Sequence, residues 1–385
     1  INYYEFETLN VALGSGNDII NVQGTTATTN LDTGGGDDRI YVSSAAAFAV
    51  DASANAVAPD FLTGHLHNIN GALNIDAGTG RAQLMISGEA STLDNNDIVI
   101  TDAFANADGI VNLMRAPRVG ETWTVALNSS VSVSVAYGEF VNSVAVTTRK
   151  QLADALAFKI DQLAGFDATV ASTPGHDSIA IRNVSGLLAN PKGTVTLAGA
   201  PDDVTSLAVS AVKAEIAILG LAGGDNVFGW VDLAQGAITY RADATSTSLA
   251  DGTSVWNGSF ADGVTVWTGF GADTVVIDGT QDRPAVLNRA GVRSITTLNT
   301  GLGDDTAYVD LQATETNGAD STDGLLVLNT QGPWNNFPTI SDNDTVLGTG
   351  VNPLTGAAFA STLPLVVFGG QGSDTITGGT ADDIL

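Results

Sequence analysis

Short runs in which apolar and polar residues alternate recur along this chain, and such alternation is typical of β-strands with one buried face. Examples are the runs 19–22, 39–42, 274–277 and 306–309. Each run follows a glycine-rich turn, and a second apolar run precedes that turn. The pattern predicts repeated strand–turn–strand units, and therefore a mainly β protein.

The turns between these strands share the pattern Gly-x-Gly-x-Asp. Glycine permits the positive φ angles of a tight turn, and the short aspartate side chain keeps its carboxylate close to the carbonyls of its own loop. The copies comprise Gly14, Gly16 and Asp18; Gly34, Gly36 and Asp38; Gly269, Gly271 and Asp273; Gly301, Gly303 and Asp305; Gly370, Gly372 and Asp374; and Asp383 in a final partial copy.

The spacing of the copies predicts how the units stack. Asp18 and Asp38 are 38 − 18 = 20 residues apart, which suits one coil of a right-handed solenoid. Asp273 and Asp305 are 305 − 273 = 32 residues apart, which suits a coil with a side loop. We therefore expect a right-handed parallel β-helix or β-roll-like solenoid with irregular loops.

Composition adds a candidate chemistry to this fold. The chain has 42 acidic residues against 14 basic ones and a formal net charge of −28, so nucleic acids and anionic membranes are disfavoured as partners. Only seven of the acids are glutamate, and aspartate in tight loops suits hard cations such as Ca²⁺. The chain has no cysteine, which excludes disulfides, thiolate metal sites and cysteine nucleophiles.

The glycine- and aspartate-rich turns resemble the GGxGxDxUx nonapeptide of RTX (repeats-in-toxin) proteins, in which U is a large apolar residue. The segment 369–377 matches every position of that pattern. The resemblance implies that Ile376 points into the core and that calcium ions lie between stacked turns, bound by backbone carbonyls and by Asp374. The same position is held by Asp18, Asp38, Asp273, Asp305 and Asp383. The alternative is a plain β-helix with the same turns and no metal.

Three other segments depart from the pattern. In the copy at Gly78–Ala82, Arg81 and Ala82 stand where carboxylates are expected, so this turn is predicted to form without an ion. The acid is shifted by one position in 223–226, and both glycines are missing from 341–344. Whether these two segments bind metal is left open.

A central segment lacks the repeat. Residues 120–128 and 131–135 predict a hairpin, a helical pattern of apolar residues begins near Thr147, and 167–171 and 178–181 predict two more strands. This ββαββ pattern resembles a small module of large bacterial surface proteins, and it is expected to fold without calcium. It is either a partner-binding insertion or a domain that widens the solenoid, and we favour the second. The expected domains are 1–117, 118–198 and 199–385, the outer two being the solenoid.

Other site chemistry is weakly represented. His65 and His67 have the spacing of a transition-metal pair, but two exposed loop histidines, like His176, are the favoured interpretation. No nucleophile elbow, zinc-protease or phosphate-loop motif occurs, and the basic residues form no cluster that would serve a polysaccharide lyase.

We therefore expect a calcium-stabilised structural or adhesive module of a secreted or cell-surface bacterial protein, of the S-layer, fibre or adhesin type, and not an enzyme. The alternative is a β-helix polysaccharide lyase or epimerase with similar repeats. The chain begins with Ile1 and ends within a repeat, so we expect a segment of a longer protein. Expected partners are neighbouring repeats of that protein, further copies in the presence of calcium, and a cell-surface glycan, with no membrane insertion.

Overall fold

The structure is a computed structural model of the 385-residue chain. The residues that it describes are 8–47, 62–96, 98–102, 109–113, 116–127, 131–172, 177–183, 194–198, 207–208, 216–222, 237–242, 245–248, 254–257, 260–281, 295–309, 324–331, 342–351 and 358–385.

The described elements are almost all strands. The first group is β1 (Thr8–Ala12), β2 (Ile19–Val22), β3 (Thr28–Asp32), β4 (Arg39–Val42), β5 (Leu73–Asp76), β6 (Gln83–Ser87) and β7 (Ile98–Thr101). The second group is β8 (Gly109–Leu113), β9 (Thr122–Ala126), β10 (Ser132–Ala136), β11 (Phe140–Val141), β12 (Val144–Ala145), α1 (Arg149–Asp161), β13 (Phe166–Ser172), β14 (Asp177–Asn183), β15 (Thr194–Ala198) and β16 (Leu207–Ala208). The third group is β17 (Ile216–Leu219), β18 (Ile238–Arg241), β19 (Thr245–Ser248), β20 (Ser254–Asn257), β21 (Val264–Gly269), β22 (Thr274–Ile277), β23 (Ile295–Gly301), β24 (Thr306–Val309), β25 (Leu325–Asn329), β26 (Thr345–Leu347), β27 (Thr349–Val351), β28 (Ala358–Ala360), β29 (Leu365–Phe368) and β30 (Thr375–Thr377).

Two large sheets contain the repeat strands. The first sheet has ten strands in the order β1-β3-β5-β18-β17-β7-β22-β24-β26-β30, and the second has seven in the order β2-β4-β6-β21-β23-β25-β29. Neighbours are parallel in both sheets, as in the pairs β1–β3 and β2–β4, except that β17 is antiparallel to β18 and to β7. The expectation of a mainly β chain with parallel sheets is confirmed.

The chain alternates between the two sheets except from β7 to β18, where β7, β17 and β18 all belong to the first sheet. We call one first-sheet strand with its turn and the following second-sheet strand a pass. A forward turn leads from the first sheet to the second, and a return turn leads from the second to the first. Because the first-sheet strands joined by these turns are parallel, all forward turns lie at the C-terminal ends of those strands and all return turns at their N-terminal ends. We call these two sides, where the strands end, the two edges of the sheet.

Inward-facing side chains of both sheets form one apolar core. Ile75 and Ile277 of the first sheet and Leu84 and Leu298 of the second are fully buried members of the same cluster. Successive side chains of a strand point to opposite faces, so Thr274 and Val276 lie on the outer face of β22 while Val275 and Ile277 enter the core. The turns follow the ends of these strands, and they therefore lie directly beside the core.

The chain divides into two compact units. Unit 1 comprises 1–102, 216–225 and 236–385, and it holds both large sheets. Unit 2 comprises 103–215 and 226–235, and it contains β8 to β16 with α1. The segment 118–198, expected as the insertion, lies inside unit 2.

Unit 2 is built as an α+β fold. The predicted hairpin is β9 with β10, the predicted helix is α1, and the two further predicted strands are β13 and β14, which pair with each other. A capping box at Thr148 and Gln151 begins the helix, since each side chain satisfies a backbone amide of the first turn. Leu152, Leu156 and Ile160 pack with Trp123 in a separate core. The hairpin β11–β12 was not predicted from the sequence.

Candidate metal centre

The predicted site residues lie in two rows of turns. Asp18 and Asp38, with Gly14, Gly16, Gly34 and Gly36, belong to forward turns, as does Asp383. Asp273, Asp305 and Asp374 belong to return turns, together with Gly269, Gly271, Gly301, Gly303, Gly370 and Gly372. The structure therefore brings Asp18 beside Asp38 at one edge, and it brings the other three aspartates into one row at the opposite edge.

The aspartates of successive passes are joined by hydrogen bonds, which we call the inner ladder. In the forward row, Asp18 N–H donates to Asp38 Oδ1 at 2.9 Å. In the return row, each backbone N–H donates to Oδ1 of the aspartate one pass later, at distances of 2.8–3.1 Å; the donor–acceptor pairs are Asn95–Asp273, Asp273–Asp305, Asp305–Asp344 and Asp344–Asp374. The repeated aspartate is thus a stacking residue, because its carboxylate ties one pass to the one before.

A second ladder runs through the residues that precede these aspartates, with the opposite direction. In this outer ladder the side chain of the earlier pass accepts from the backbone N–H of the later pass. Asp37 N–H donates to Asn17 Oδ1, Asn343 N–H to Asp304 Oδ1, and Ser373 N–H to Asn343 Oδ1, at 2.8–2.9 Å. These three pairs of turns are therefore joined by hydrogen bonds of both directions, whereas the pair that contains Asp273 and Asp305 has the inner bond alone, because Ala272 offers no side-chain acceptor.

One carboxylate oxygen remains unsatisfied in the middle of these rows. The Oδ2 atoms of Asp38, Asp273, Asp305 and Asp344 are buried and have no hydrogen-bond partner, and each of these residues is at most 2% exposed. The buried hydroxyls of Thr33 and Thr300, which precede Asp38 and Asp305 by five residues, meet no partner at full hydrogen-bonding geometry, but each lies close enough to its aspartate to lower that carboxyl's pKa. A buried carboxylate with one oxygen unsatisfied is costly, so each of these turns favours a neutralising proton or cation.

The pKa values of the row reflect this burial. Burial raises the pKa of Asp305 to about 8, and the nearby carboxylates of Asp273 and Asp344 add repulsion, while the Thr300 hydroxyl and the Asp273 amide oppose the rise. Burial also raises the pKa values of Asp273 and Asp344 to about 6. The pKa of Asp38 is raised for the same reason.

The same turns also carry backbone carbonyls that face the next pass. The carbonyl of Gly269 points at Gly301 in the next pass, where a Cβ would overlap it, and Gly271 and Gly303 are related in the same way. Both Gly301 and Gly303 have positive φ, at 92° and 144°. The turns thus offer carboxylate, hydroxyl and carbonyl oxygens only, which is the donor set that Ca²⁺ prefers. Such a site would need these backbone oxygens, because the described residues contain no group of three or more His, Cys, Asp or Glu arranged to hold a metal ion.

Two copies differ from the row. In the copy expected to lack an ion, Ala82 ends the forward inner ladder, and Arg81 forms a half-exposed ion pair with Asp262 at 2.8 Å. Asp383 has both carboxylate oxygens occupied, by the N–H groups of Leu365 and Gly379. It therefore lacks the unsatisfied oxygen that marks Asp305.

The structure adds Asp344 to the row, a position that the sequence left open. Asp344 lies between Asp305 and Asp374 in the inner ladder, although its turn has no Gly-x-Gly. The signal was present after the aspartate: Asp-Thr followed by an apolar run occurs at Asp273, Asp305, Asp344 and Asp374. The shifted segment 223–226 lies outside the described residues.

The two described histidines form no comparable site. His65 and His67 lie in a loop, and their rings stack with centroids 4.6 Å apart. His176 lies outside the described residues.

Comparison with known proteins gives no match: no family model fits the chain, and neither a curated protein nor a solved structure is found to resemble it. Within the described ranges, no helix has the length and apolar character needed to span a membrane.

Proposed function

We propose that unit 1 is a right-handed parallel β-solenoid stabilised by calcium, and that it serves as a structural or adhesive module of a secreted or cell-surface bacterial protein. The observation that carries this proposal is the row of buried aspartates whose Oδ2 atoms have no partner. Alternation of the chain between two parallel sheets that share one core supports the solenoid.

Calcium accounts for the row better than a proton does at neutral pH. A proton neutralises each carboxylate singly, and it is lost where the surroundings hold the pKa near 6, as at Asp273 and Asp344. A divalent cation between two turns neutralises two carboxylates and also satisfies the carbonyl and hydroxyl oxygens around them. Extracellular calcium modules bind with dissociation constants of about 10⁻⁴–10⁻³ M, and in a chain without cysteine the ion would replace disulfides as the cross-link.

Asp305→Asn tests the proposal because it separates calcium binding from stacking. The asparagine keeps an oxygen that accepts the Asp273 N–H, and it removes the buried charge. At pH 8 with excess EDTA we expect the variant to unfold about 2–4 °C above the wild type, as about 1 kcal/mol would produce in a domain of this size. In millimolar calcium we expect the order to reverse, since the wild type gains the ion.

The matched control is Arg81→Ala, which alters the turn without a predicted ion. Its ion pair is half-exposed and contributes little, so the calcium-induced shift in unfolding temperature should stay at the wild-type value. Equal wild-type unfolding temperatures in EDTA and in calcium would refute the proposal.

The alternative function, a polysaccharide lyase or epimerase, requires a base close to carboxylates in a groove. In the described residues the ion pairs of Arg81, Arg149, Lys159 and Arg241 each involve a different carboxylate. This scattered pairing favours the structural module. Incubation with alginate or pectin distinguishes the two, because a lyase would generate unsaturated ends that absorb in the ultraviolet.

A further inference from the structure

Each aspartate with an unsatisfied buried oxygen lies beside a buried threonine at the end of the strand that leads into its turn. The pairs are Thr33 with Asp38, Thr268 with Asp273, Thr300 with Asp305, and Thr330 with Asp344. All four threonines are at most 4% exposed. Burial raises the pKa of each carboxyl, and the hydroxyl of the threonine is close enough to oppose that rise.

The threonine is replaced wherever the unsatisfied carboxylate oxygen is missing. Two described turns inside unit 1 lack both members of the pair, and the strand register places these residues there instead: Ala77 and Ala82 in the turn after β5, and Gly88 and Asn95 in the turn after β6. The other aspartates of the motif have Leu13, Gly369 or Gly378 in the threonine position, and none of their carboxylates has a buried oxygen without a hydrogen-bond partner. The hydroxyl therefore belongs with the buried carboxylate and not with the turn as such.

Two of these hydroxyls already use their proton elsewhere. Thr268 Oγ1 donates to the carbonyl of Thr300 at 3.0 Å, and Thr330 Oγ1 donates to the carbonyl of Gly369 at 3.1 Å. A hydroxyl has one proton and two lone pairs. Because the proton of Thr268 is directed to the next pass, only oxygen lone pairs remain where this side chain meets Asp273, and the same holds in the turn of Thr330.

A cation is the partner that two such oxygens share. The hydroxyls of Thr33 and Thr300, which are 0% exposed, likewise meet no partner at full hydrogen-bonding geometry. Calcium takes about six to eight oxygen ligands, both charged and neutral, which is more than one carboxylate supplies. A neutral hydroxyl oxygen beside Oδ2 adds to that number without adding negative charge to a chain that already carries −28.

We propose that the threonine is a second side-chain ligand of the calcium ion in each of these four turns, and that its hydroxyl oxygen binds the ion beside Oδ2 of the aspartate. The turns that contain Ala82 and Asn95 then contribute neither side-chain ligand. This inference rests on the proposed function, since it names a further residue of the calcium site. The sequence signature of a binding turn becomes a threonine at the strand end together with the aspartate that ends the turn.

Thr300→Val tests the ligand role because valine keeps the branched shape of threonine and removes the oxygen. Calorimetric titration of the full chain with calcium should show one ion fewer than in the wild type, or one site that binds at least about tenfold more weakly. Thr300→Ser restores the hydroxyl and should recover the wild-type number of ions and the wild-type affinity.

Thr296→Val is the matched control. Thr296 is 2% exposed, belongs to the same strand β23 as Thr300 and lies on the same face of it. Its neighbours across the sheet are Val264 and Leu326, so no aspartate of the row faces it. The control variant should bind as many calcium ions as the wild type, with the same affinity.

Thermal unfolding separates a ligand from a residue that only supports the turn. A lost ligand makes the drop in unfolding temperature for Thr300→Val larger in millimolar calcium than in excess EDTA. Equal drops under both conditions would overturn the inference.

The titration also separates the inference from the proposed function. If the wild type binds calcium and Thr300→Val binds it equally well, the threonine ligand is wrong and the calcium module stands. If the wild type binds no calcium, both proposals fall.

Discussion

Among the carboxyl groups of the described residues, Asp305 is the one whose surroundings raise the pKa most. It is 2% exposed, it has a carboxylate one pass away on either side, and its pKa is raised to about 8. In the unfolded chain the same group would titrate near 3.8. Without metal, and at a pH between these two pKa values, Asp305 therefore holds a proton in the folded protein that it does not hold in the unfolded chain.

This difference predicts how stability depends on pH when calcium is removed. A group whose pKa is higher in the folded state stabilises fully below its unfolded pKa, and that contribution is lost as the pH rises through the folded value. In excess EDTA the unfolding temperature should therefore fall as the pH is raised from about 5 to about 9. Calorimetry across this range measures the slope.

Asp305→Asn provides the control, because a variant without this carboxyl should show a shallower slope in EDTA. A wild-type unfolding temperature that rose over the same interval would show that the row does not hold protons in the folded state.

At the scale of the element, the turns stack through close contacts that side chains would obstruct. Gly301 has a φ of 92°, and a Cβ there would overlap the carbonyl oxygen of Gly269 in the preceding pass. Gly14 has the same position in its motif, in the first forward turn, but a Cβ there meets no atom within 4 Å. The same residue type in the same motif therefore has a different structural role in the two turns.

We predict that Gly301→Ala lowers the free energy of unfolding by at least about 2 kcal/mol, since the turn must give up both its backbone angle and its contact. Gly14→Ala should change it by less than about 1 kcal/mol, because it lacks both constraints. Urea unfolding of the two variants measures the difference, and equal losses would contradict the stacking role of Gly301.

The sequence predicted these elements well where a local signal exists. Alternation located strands such as β22 and β24, and Gly-x-Gly-x-Asp located their turns. Asp344 was left open because its turn lacks both glycines; Asp342 stands at the second glycine position, and its carbonyl faces Gly372 in the next pass as the Gly271 carbonyl faces Gly303. The ladder partners of these residues could not be predicted, because they are 20 to 178 residues apart along the chain and are set by the stacking of passes.

The division of the turns between two edges was also hidden from the sequence. The early copies, such as Asp38, follow first-sheet strands, whereas later copies, such as Asp305, follow second-sheet strands. Asp374 and Asp383 are only nine residues apart and therefore lie at opposite edges. The motif determines the shape of its own turn. The number of strands between two motifs determines whether their turns lie at the same edge or at opposite edges.

At the scale of the whole molecule, unit 2 extends further than the segment without repeats. β14 pairs with β8 as well as with β13, and β8 also pairs with β16. Ile179 of β14 and Val111 of β8 face each other in this sheet and are both fully buried. A fragment limited to 118–198 would lose β8 and expose the apolar face that β8 covers.

We predict that a fragment of residues 103–215 unfolds cooperatively at a temperature that does not change with calcium or EDTA. The shorter fragment, 118–198, should unfold at least about 5 °C lower, since it loses two strands of the four-stranded sheet. Circular dichroism during heating measures both. A calcium-dependent transition in the longer fragment would show that the ion also binds within unit 2.

The reversed strand β17 explains how so large an excursion leaves the sheets of unit 1 continuous. The chain departs after β7 and re-enters through β17, its antiparallel neighbour, with Thr101 beside Ala217. Asp102 and Ile216 therefore lie at the positions where the turn of an ordinary β-hairpin would begin and end. In evolution this position can serve as an insertion point. A segment of any length can be gained, exchanged or deleted between Asp102 and Ile216, because a two-residue loop would join β7 to β17 in the same way.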